Sequence, residues 1–222
     1  MAKNMYTFVD ERWNPVRGKC MFDCSYCYTK QWNRTYPLRL DEKVLKKDLG
    51  RGKYIFICSG CDLFAPDVPI EWIYRVLEHT RKYPENRYLW HTKNPLRLSS
   101  IIKPEANDIA CVTIETNRYI PSTISNAPMP IIRMEYLRDL WEGKRMITVE
   151  PIMDFDLDLF PGMILEARPM QVNIGADSRK CGLPEPPKEK IIALISELEK
   201  FTTVYKKSNL GRVLNEKNLQ RS

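Results

Sequence analysis

YIFICSGCDLFAPDVPIEWIYRVLEHTRKYPENRYLWHT, residues 54–92, settles the fold class. It opens on YIFIC (54–58), a strongly β-like run of β-branched and aromatic residues. A loop holding Gly60 and Pro66 interrupts it. Pro69 then starts IEWIYRVLEHTRKY (70–83), where apolar residues at 70, 73, 76 and 77 give a helical period. RYLWHT (87–92) reads as a second strand.

The same alternation extends outward in both directions. Upstream, YTFV (6–9) predicts a first short strand and LDEKVLKKDL (40–49) a helix ended by Gly50. Downstream come a short helix near 95–102, the strand DIACVTIE (108–115) and the helix IIRMEYLRDLWEG (131–143). The strands RMITVEP (145–151) and MQVNIGA (170–176) follow, then the helix PPKEKIIALISELEKF (186–201) and the run TTVYKK (202–207). Six or seven βα units imply an α/β fold with a parallel sheet and helices outside it. The expected architecture is an incomplete TIM-like (βα)6 barrel, to which TTVYKK can add a seventh, C-terminal strand. Residues 1–207 would form the barrel and 208–222 a basic tail. In such folds function gathers at the carboxyl ends of the strands. Here those ends are CSGCD (58–62), HTK (91–93), TIE (113–115), EP (150–151), NIGADS (173–178) and KK (206–207).

Composition narrows the setting. No apolar run approaches the ~18–20 residues that a membrane helix needs, and MAKNMYTFVDERWN lacks the apolar core of a secretory signal. A cytoplasmic protein with reduced thiols is expected. An odd count of seven cysteines argues against a disulfide framework and for metal binding or catalysis. The net charge of +7 is uneven: residues 1–53 carry 12 Lys/Arg against 6 Asp/Glu, whereas 54–204 carry 18 against 21. A basic surplus of this kind attracts phosphates.

Three of the seven cysteines crowd into KCMFDCSYCYTK (19–30): Cys20, Cys24 and Cys27, spaced C-x3-C-x2-C. Thiolates this close in sequence can reach one metal centre at little loop-closure cost. Structural zinc would need a fourth ligand, for which Cys58, Cys61, His79 and His91 are candidates. A cubane iron–sulfur cluster held by three cysteines would keep one iron open to a ligand. Without metal, the thiols would pack as small apolar groups, against which the charged flanks Lys19, Asp23 and Lys30 argue. A zinc-stabilised nucleic-acid-binding module without catalysis also fits the basic N-terminal third, where Trp13, Tyr26, Tyr28, Trp32 and Tyr36 interleave with Arg and Lys.

The run Cys20-Met-Phe-Asp-Cys24-Ser-Tyr26-Cys27 resembles the cluster motif of the radical SAM superfamily. The resemblance implies a 4Fe-4S cluster on Cys20, Cys24 and Cys27, with S-adenosylmethionine (SAM) on the open iron. It also implies an electron donor such as flavodoxin or ferredoxin, and a 5′-deoxyadenosyl radical that abstracts hydrogen from a substrate. WNPVRGKC (13–20), SGCDLFAPDVP (59–69), WHTKNPLRL (90–98), VTIETN (112–117) and VEPIMDFDLDL (149–159) are similar to segments of a phage-associated radical-SAM-like family. This chain departs from that pattern at Cys61, at Val149 and in NIGADS (173–178), which lacks the glutamate of a GGES-like strand end. More loosely, CSGCD resembles the C-T-S-D segment of spore photoproduct lyase, a DNA-repair enzyme whose cysteine donates a hydrogen atom.

Site residues follow from the resemblance. Tyr26 would pack near the cluster or the adenine, and Ser59, Gly60, Cys61 and Asp62 would receive the methionine amino group. Thr113 and Glu115 would meet the ribose or carboxylate of SAM. Ile174, Gly175 and Ala176 would flank the adenine. Glu150, Lys93 and Lys206 would line the pocket, Cys58 or Cys61 would donate hydrogen, and Cys181 would reach over the barrel mouth. The substrate implied is nucleic acid, in repair or base modification, or else a nucleotide or small molecule.

Overall fold

The computed structural model describes residues 6–32 and 36–215. Its main sheet holds seven parallel strands in chain order: β1 (Glu11–Trp13), β4 (Tyr54–Ile57), β5 (Arg87–Thr92), β6 (Asp108–Thr113), β7 (Lys144–Val149), β8 (Gln171–Ile174) and β9 (Thr203–Lys206). β2 (Val16–Arg17) and β3 (Arg39–Leu40) form a separate antiparallel pair. The helices are α1 (Glu42–Leu45), α2 (Ile70–Thr80), α3 (Pro95–Ile101), α4 (Pro130–Leu140), α5 (Phe160–Glu166), α6 (Lys188–Glu199) and α7 (Gly211–Leu214). Among the described residues β1 and β9 are sheet edges that pair only inward, so the barrel is incomplete, as the alternation implied.

Two faces of one sheet make two cores, because side chains alternate along a strand. Outward residues such as Ile55, Ile57, Trp90, Val112, Ile147, Val149, Val172 and Ile174 join the helices in the larger core. Inward residues Phe56, Leu89, Ile109, Cys111 and Met146 join Tyr6 and Val9 in the smaller one.

That inner core explains one correction. YTFV (6–9) is not a strand; β1 starts at Glu11, in register with Ile55. The apolar character of 6–9 serves burial instead. Tyr6 stacks on Phe8 with centroids 5.0 Å apart, and its hydroxyl lies 2.7 Å from Thr148 Oγ1. Thr7 Oγ1 lies 2.7 Å from the Tyr205 hydroxyl, so this segment bridges toward the far sheet edge. β-propensity reports fit to a half-buried surface, which a plug satisfies as well as a strand.

Two more differences are local. The helix expected over 40–49 lasts only from Glu42 to Leu45; Asp41 caps it, accepting from the Val44 N–H at 3.1 Å. Asp48 then accepts from the Gly50 N–H (2.8 Å), a local bond that competes with helix. α5 falls in 152–169, where no element was expected. Its seven residues include Pro161 and Gly162, yet it is anchored by buried Phe160 and Ile164.

Candidate functional site

The cysteine loop is built on a staple. β2 and β3 pair at its base, and Gly18 there has φ +137°; an added Cβ would come within 2.6 Å of the Pro37 carbonyl oxygen. Inside the loop each cysteine carbonyl closes a tight turn. Cys20 O accepts from Asp23 N–H (3.2 Å), Cys24 O from Cys27 N–H (3.0 Å) and Cys27 O from Lys30 N–H (3.1 Å). The Ser25 N–H donates to the Ile124 carbonyl (2.8 Å), and Arg179 Nη1 donates to the carbonyls of Ser25 (2.9 Å) and Cys27 (3.2 Å). The loop is therefore held by its own turns and by two distant segments.

Cys20, Cys24 and Cys27 all face a cavity of about 910 Å3 at the carboxyl ends of the strands. Cys24 Sγ lies 3.1 Å from Ser125 Oγ, and Cys27 Sγ 3.0 Å from Thr29 Oγ1. Burial, with Asp62 and Cys24 nearby, pushes the Cys20 thiol up to about 12. A metal centre would have to displace that proton. Among the described residues no three His, Cys, Asp or Glu side chains are gathered to hold a single metal ion. Of the histidines, His79 packs on Trp13 with Nε2 2.7 Å from the Lys47 carbonyl oxygen. His91 is on the cavity floor, 2.8 Å from Thr113 Oγ1. Burial first, then Lys93 and Lys207, lower its pKa to about 3, so it is neutral.

The β4 end carries Cys58, Ser59, Gly60, Cys61 and Asp62, all on the cavity wall. Asn14 Oδ1 accepts from Ser59 Oγ (3.1 Å) and the Gly60 N–H (3.0 Å). The Asp62 carboxylate accepts from Thr92 Oγ1 (2.8 Å) and the N–H groups of Phe64 (2.9 Å) and Lys93 (2.7 Å). Its main visible work is to tie the β4 and β5 ends together. The hydrogen bond with Cys58, and then burial, raise the Cys61 thiol well above its ordinary value; Cys61 Sγ donates to the Val16 carbonyl (3.2 Å).

On the next strands, Thr113 is on the cavity wall and Glu115 is beneath it, fully buried. Glu115 accepts from the Tyr26 hydroxyl and from Arg133 Nη2 (2.8 Å), so its carboxylate fixes Tyr26 between two cysteines. Lys93 reaches over the Tyr26 ring, 5.4 Å from its centroid. Burial disfavours its charge, but the proximity of Cys24 and Glu115 outweighs this, and its pKa is raised.

Across the cavity, Glu150 accepts from Lys207 Nζ and from Asn209 Nδ2 (2.8 Å). Gly175 makes room for that carboxylate: a Cβ there would meet Glu150 Oε1 at 2.6 Å and Asn209 Oδ1 at 2.9 Å. Gly175→Ala is expected to cost about 1–3 kcal/mol of stability, as overpacking does, measured by urea unfolding at neutral pH. A variant as stable as the parent would show that Glu150 can swing away freely.

Ala176, two residues past the end of β8, lines the cavity, whereas Ile174, still within the strand, has outward parity and its side chain lies in the outer core. Lys206 shares that outward parity, and its Nζ pairs with Glu199 at 3.4 Å. The cation that enters is Lys207, over the Tyr6 ring at 4.7 Å. Counting by two from Tyr205, which pairs with Asn173, would have found it. Tyr28, one of the aromatics interleaved with Arg and Lys, also lines the cavity, as do Asn209 and Thr148, which had no sequence signal. Cys181 is off the cavity wall; its thiol sits 3.6 Å from the Ser25 carbonyl oxygen, against the cysteine loop.

Residues 3–173 match a family described as "Protein of unknown function (DUF5131)", and the chain belongs to it. No curated protein matches. Among solved structures, spore photoproduct lyase complexed with dinucleoside spore photoproduct superposes with a TM-score of 0.63 at 12% identity, over 88% of this chain and 75% of that one. Native anSMEcpe with bound AdoMet gives 0.56 at 12% identity, over 95% and 67%. SuiB of Streptococcus suis gives 0.55 at 11% identity, over 88% and 48%. These are radical SAM enzymes. At such identities what this chain shares with them is the fold.

Proposed function

We propose that this chain is a radical SAM enzyme, with Cys20, Cys24 and Cys27 holding a 4Fe-4S cluster. The observation that carries the reading is the placement of three turn-locked thiols on one cavity wall, at the strand ends of a partial barrel. When bound, the cluster and SAM would supply reductive cleavage to methionine and a 5′-deoxyadenosyl radical. An electron donor such as flavodoxin or ferredoxin would serve it. No helix among the described residues is long and apolar enough to cross a membrane, in keeping with the proposed cytoplasmic setting.

The chain's own residues would bind, orient and shield. Lys93 would offset negative charge gathered by three thiolates. Tyr26, pinned by Glu115, would form a fixed wall beside them. Ser59 and Gly60, with Asp62 bracing their loop, would meet the methionine end of SAM. Thr113 and Glu150 would face the ribose side, while Ala176 and the backbone at Ile174 and Gly175 would flank the adenine. Cys61, kept protonated, retains an S–H hydrogen that it, or Cys58 beside it, would give to a substrate radical. In that step the S–H bond breaks, a C–H bond forms and a thiyl radical remains. The proposed substrate is nucleic acid, in DNA repair or base modification, and the proposed setting is phage-associated.

Anaerobic purification with iron and sulfide analysis, then EPR of the reduced protein with and without SAM, tests this. About four irons per chain and a SAM-dependent signal are expected, followed by 5′-deoxyadenosine release on adding reductant. A colourless protein holding one zinc on the same three cysteines would overturn it.

A further inference from the structure

We infer that the cavity mouth is a docking surface for single-stranded polynucleotide, with Trp32 as a stacking platform. This rests on the nucleic-acid part of the function proposed above and not on the cluster. On the cysteine side of the mouth Arg12, Lys19 and Lys30 line the cavity, against one carboxylate from the same stretch, Asp23. Beside them, exposed Arg179 and Lys180 sit on the strap that Arg179 ties to the Ser25 and Cys27 carbonyls. Cationic residues therefore approach the mouth from two separate segments, and the charge complements a phosphate backbone.

Aromatics stand among these cations. Trp13, Trp90 and Trp141 are core residues and Trp72 is partly covered, while Trp32 is 46% exposed at the rim of the cavity. It is mounted rigidly: Tyr28 meets it edge-on with centroids 5.2 Å apart, and the Tyr28 hydroxyl is bonded to the Ser59 carbonyl at the β4 end. Tyr36, 36% exposed, lies beside Lys19, whose N–H donates to the Tyr36 carbonyl (3.0 Å), and under Arg39, 5.1 Å from its ring centroid. Fixed aromatic rings flanked by cations suit stacked bases along a strand. The cavity behind them, about 910 Å3, is near the top of the ~300–1,000 Å3 range of small-molecule sites and has room for an unstacked base. A duplex would first have to give up stacking to place a base there, so a single strand is favoured.

The test is fluorescence anisotropy with labelled 15-mer DNA, single-stranded and duplex, on the anaerobically purified full chain. The single strand is expected to bind tighter, with affinity falling as salt rises. Trp32→Ala should weaken it at least ~5-fold, and Lys19→Ala with Arg39→Ala should flatten the log–log salt slope by about 1.4. Iron content and SAM binding of each variant should stay at the parent level. Equal binding of duplex, or unchanged affinity in Trp32→Ala, would overturn the inference. So would the basic rim binding a purified flavodoxin, in competition with nothing, while no oligonucleotide binds. If strands bind but iron is absent, the radical chemistry fails and this surface stands; if iron and SAM are present but strands do not bind, only this surface fails.

Discussion

Cys24→Ala protein purified without oxygen is expected to hold no stable cluster. It should release 5′-deoxyadenosine at least about a thousandfold more slowly than the parent, or ~4 kcal/mol on the barrier. Cys24 is the middle thiol of three, buried, and its carbonyl closes the turn that positions Cys27. Removing it leaves two thiols for a cluster that would then lack ligands on two irons. Cys111→Ala is the matched control. That thiol is buried too, but it sits in the inner core, 3.3 Å from Thr148 Oγ1 and away from the cysteine loop. Its loss should lower stability modestly and keep the iron. Full iron in Cys24→Ala, or equal iron loss in both variants, would remove the cysteine loop from the metal chemistry.

The contrast between those two cysteines also measures what was legible in the sequence. Strand–helix alternation is a statement about periodicity, and periodicity survives folding almost unchanged. β4 through β9 lie within two residues or so of where apolar runs placed them. The cysteine loop was legible as a loop; within it C-x3-C-x2-C becomes three tight turns, each cysteine carbonyl accepting from the N–H three residues on. Two kinds of fact were not legible. One is which apolar run pairs and which plugs, as Tyr6–Val9 shows; both satisfy the same propensity, and only long-range contacts to Thr148 and Tyr205 distinguish them. The other is parity at a strand end. Lys206 and Lys207 are chemically identical neighbours, and a single residue of register sends one to Glu199 outside and the other to Glu150 inside. Asn209 illustrates a related limit. It lies beyond the last strand, yet it donates to Glu150, Ala176 O and Ser178 Oγ, contacts that no local pattern announces.

Glu115→Ala should be the most destabilising single change around the site, by about 3–5 kcal/mol, because it strands a buried cation. Arg133 is 1% exposed and Glu115 is wholly buried. The guanidinium also donates to the carbonyls of Thr113 and Pro128, so it cannot turn to solvent when its carboxylate partner is lost. Burial by itself would raise the Glu115 pKa; Arg133, then Lys93, reverse this and hold it below its ordinary value. The sign for stability follows. A lowered folded-state pKa contributes stability that is present above the unfolded value, ~4.3, and is lost as pH falls through the folded one. Urea unfolding should therefore show the full gap between parent and Glu115→Ala at pH 7, and a narrowing gap below about pH 4. Replacing both partners, as Glu115→Met with Arg133→Met, should recover much of the loss, since the penalty is the unpaired charge and not the missing pair. A gap under ~1 kcal/mol at pH 7 would mean that water reaches Arg133. The consequence for the site is direct. Tyr26 is bonded to this same carboxylate and stands between Cys24 and Cys27. Where the double variant folds but binds iron poorly, the ion pair serves to place Tyr26 beside the thiols; where it binds iron fully, the turns of the cysteine loop suffice without it.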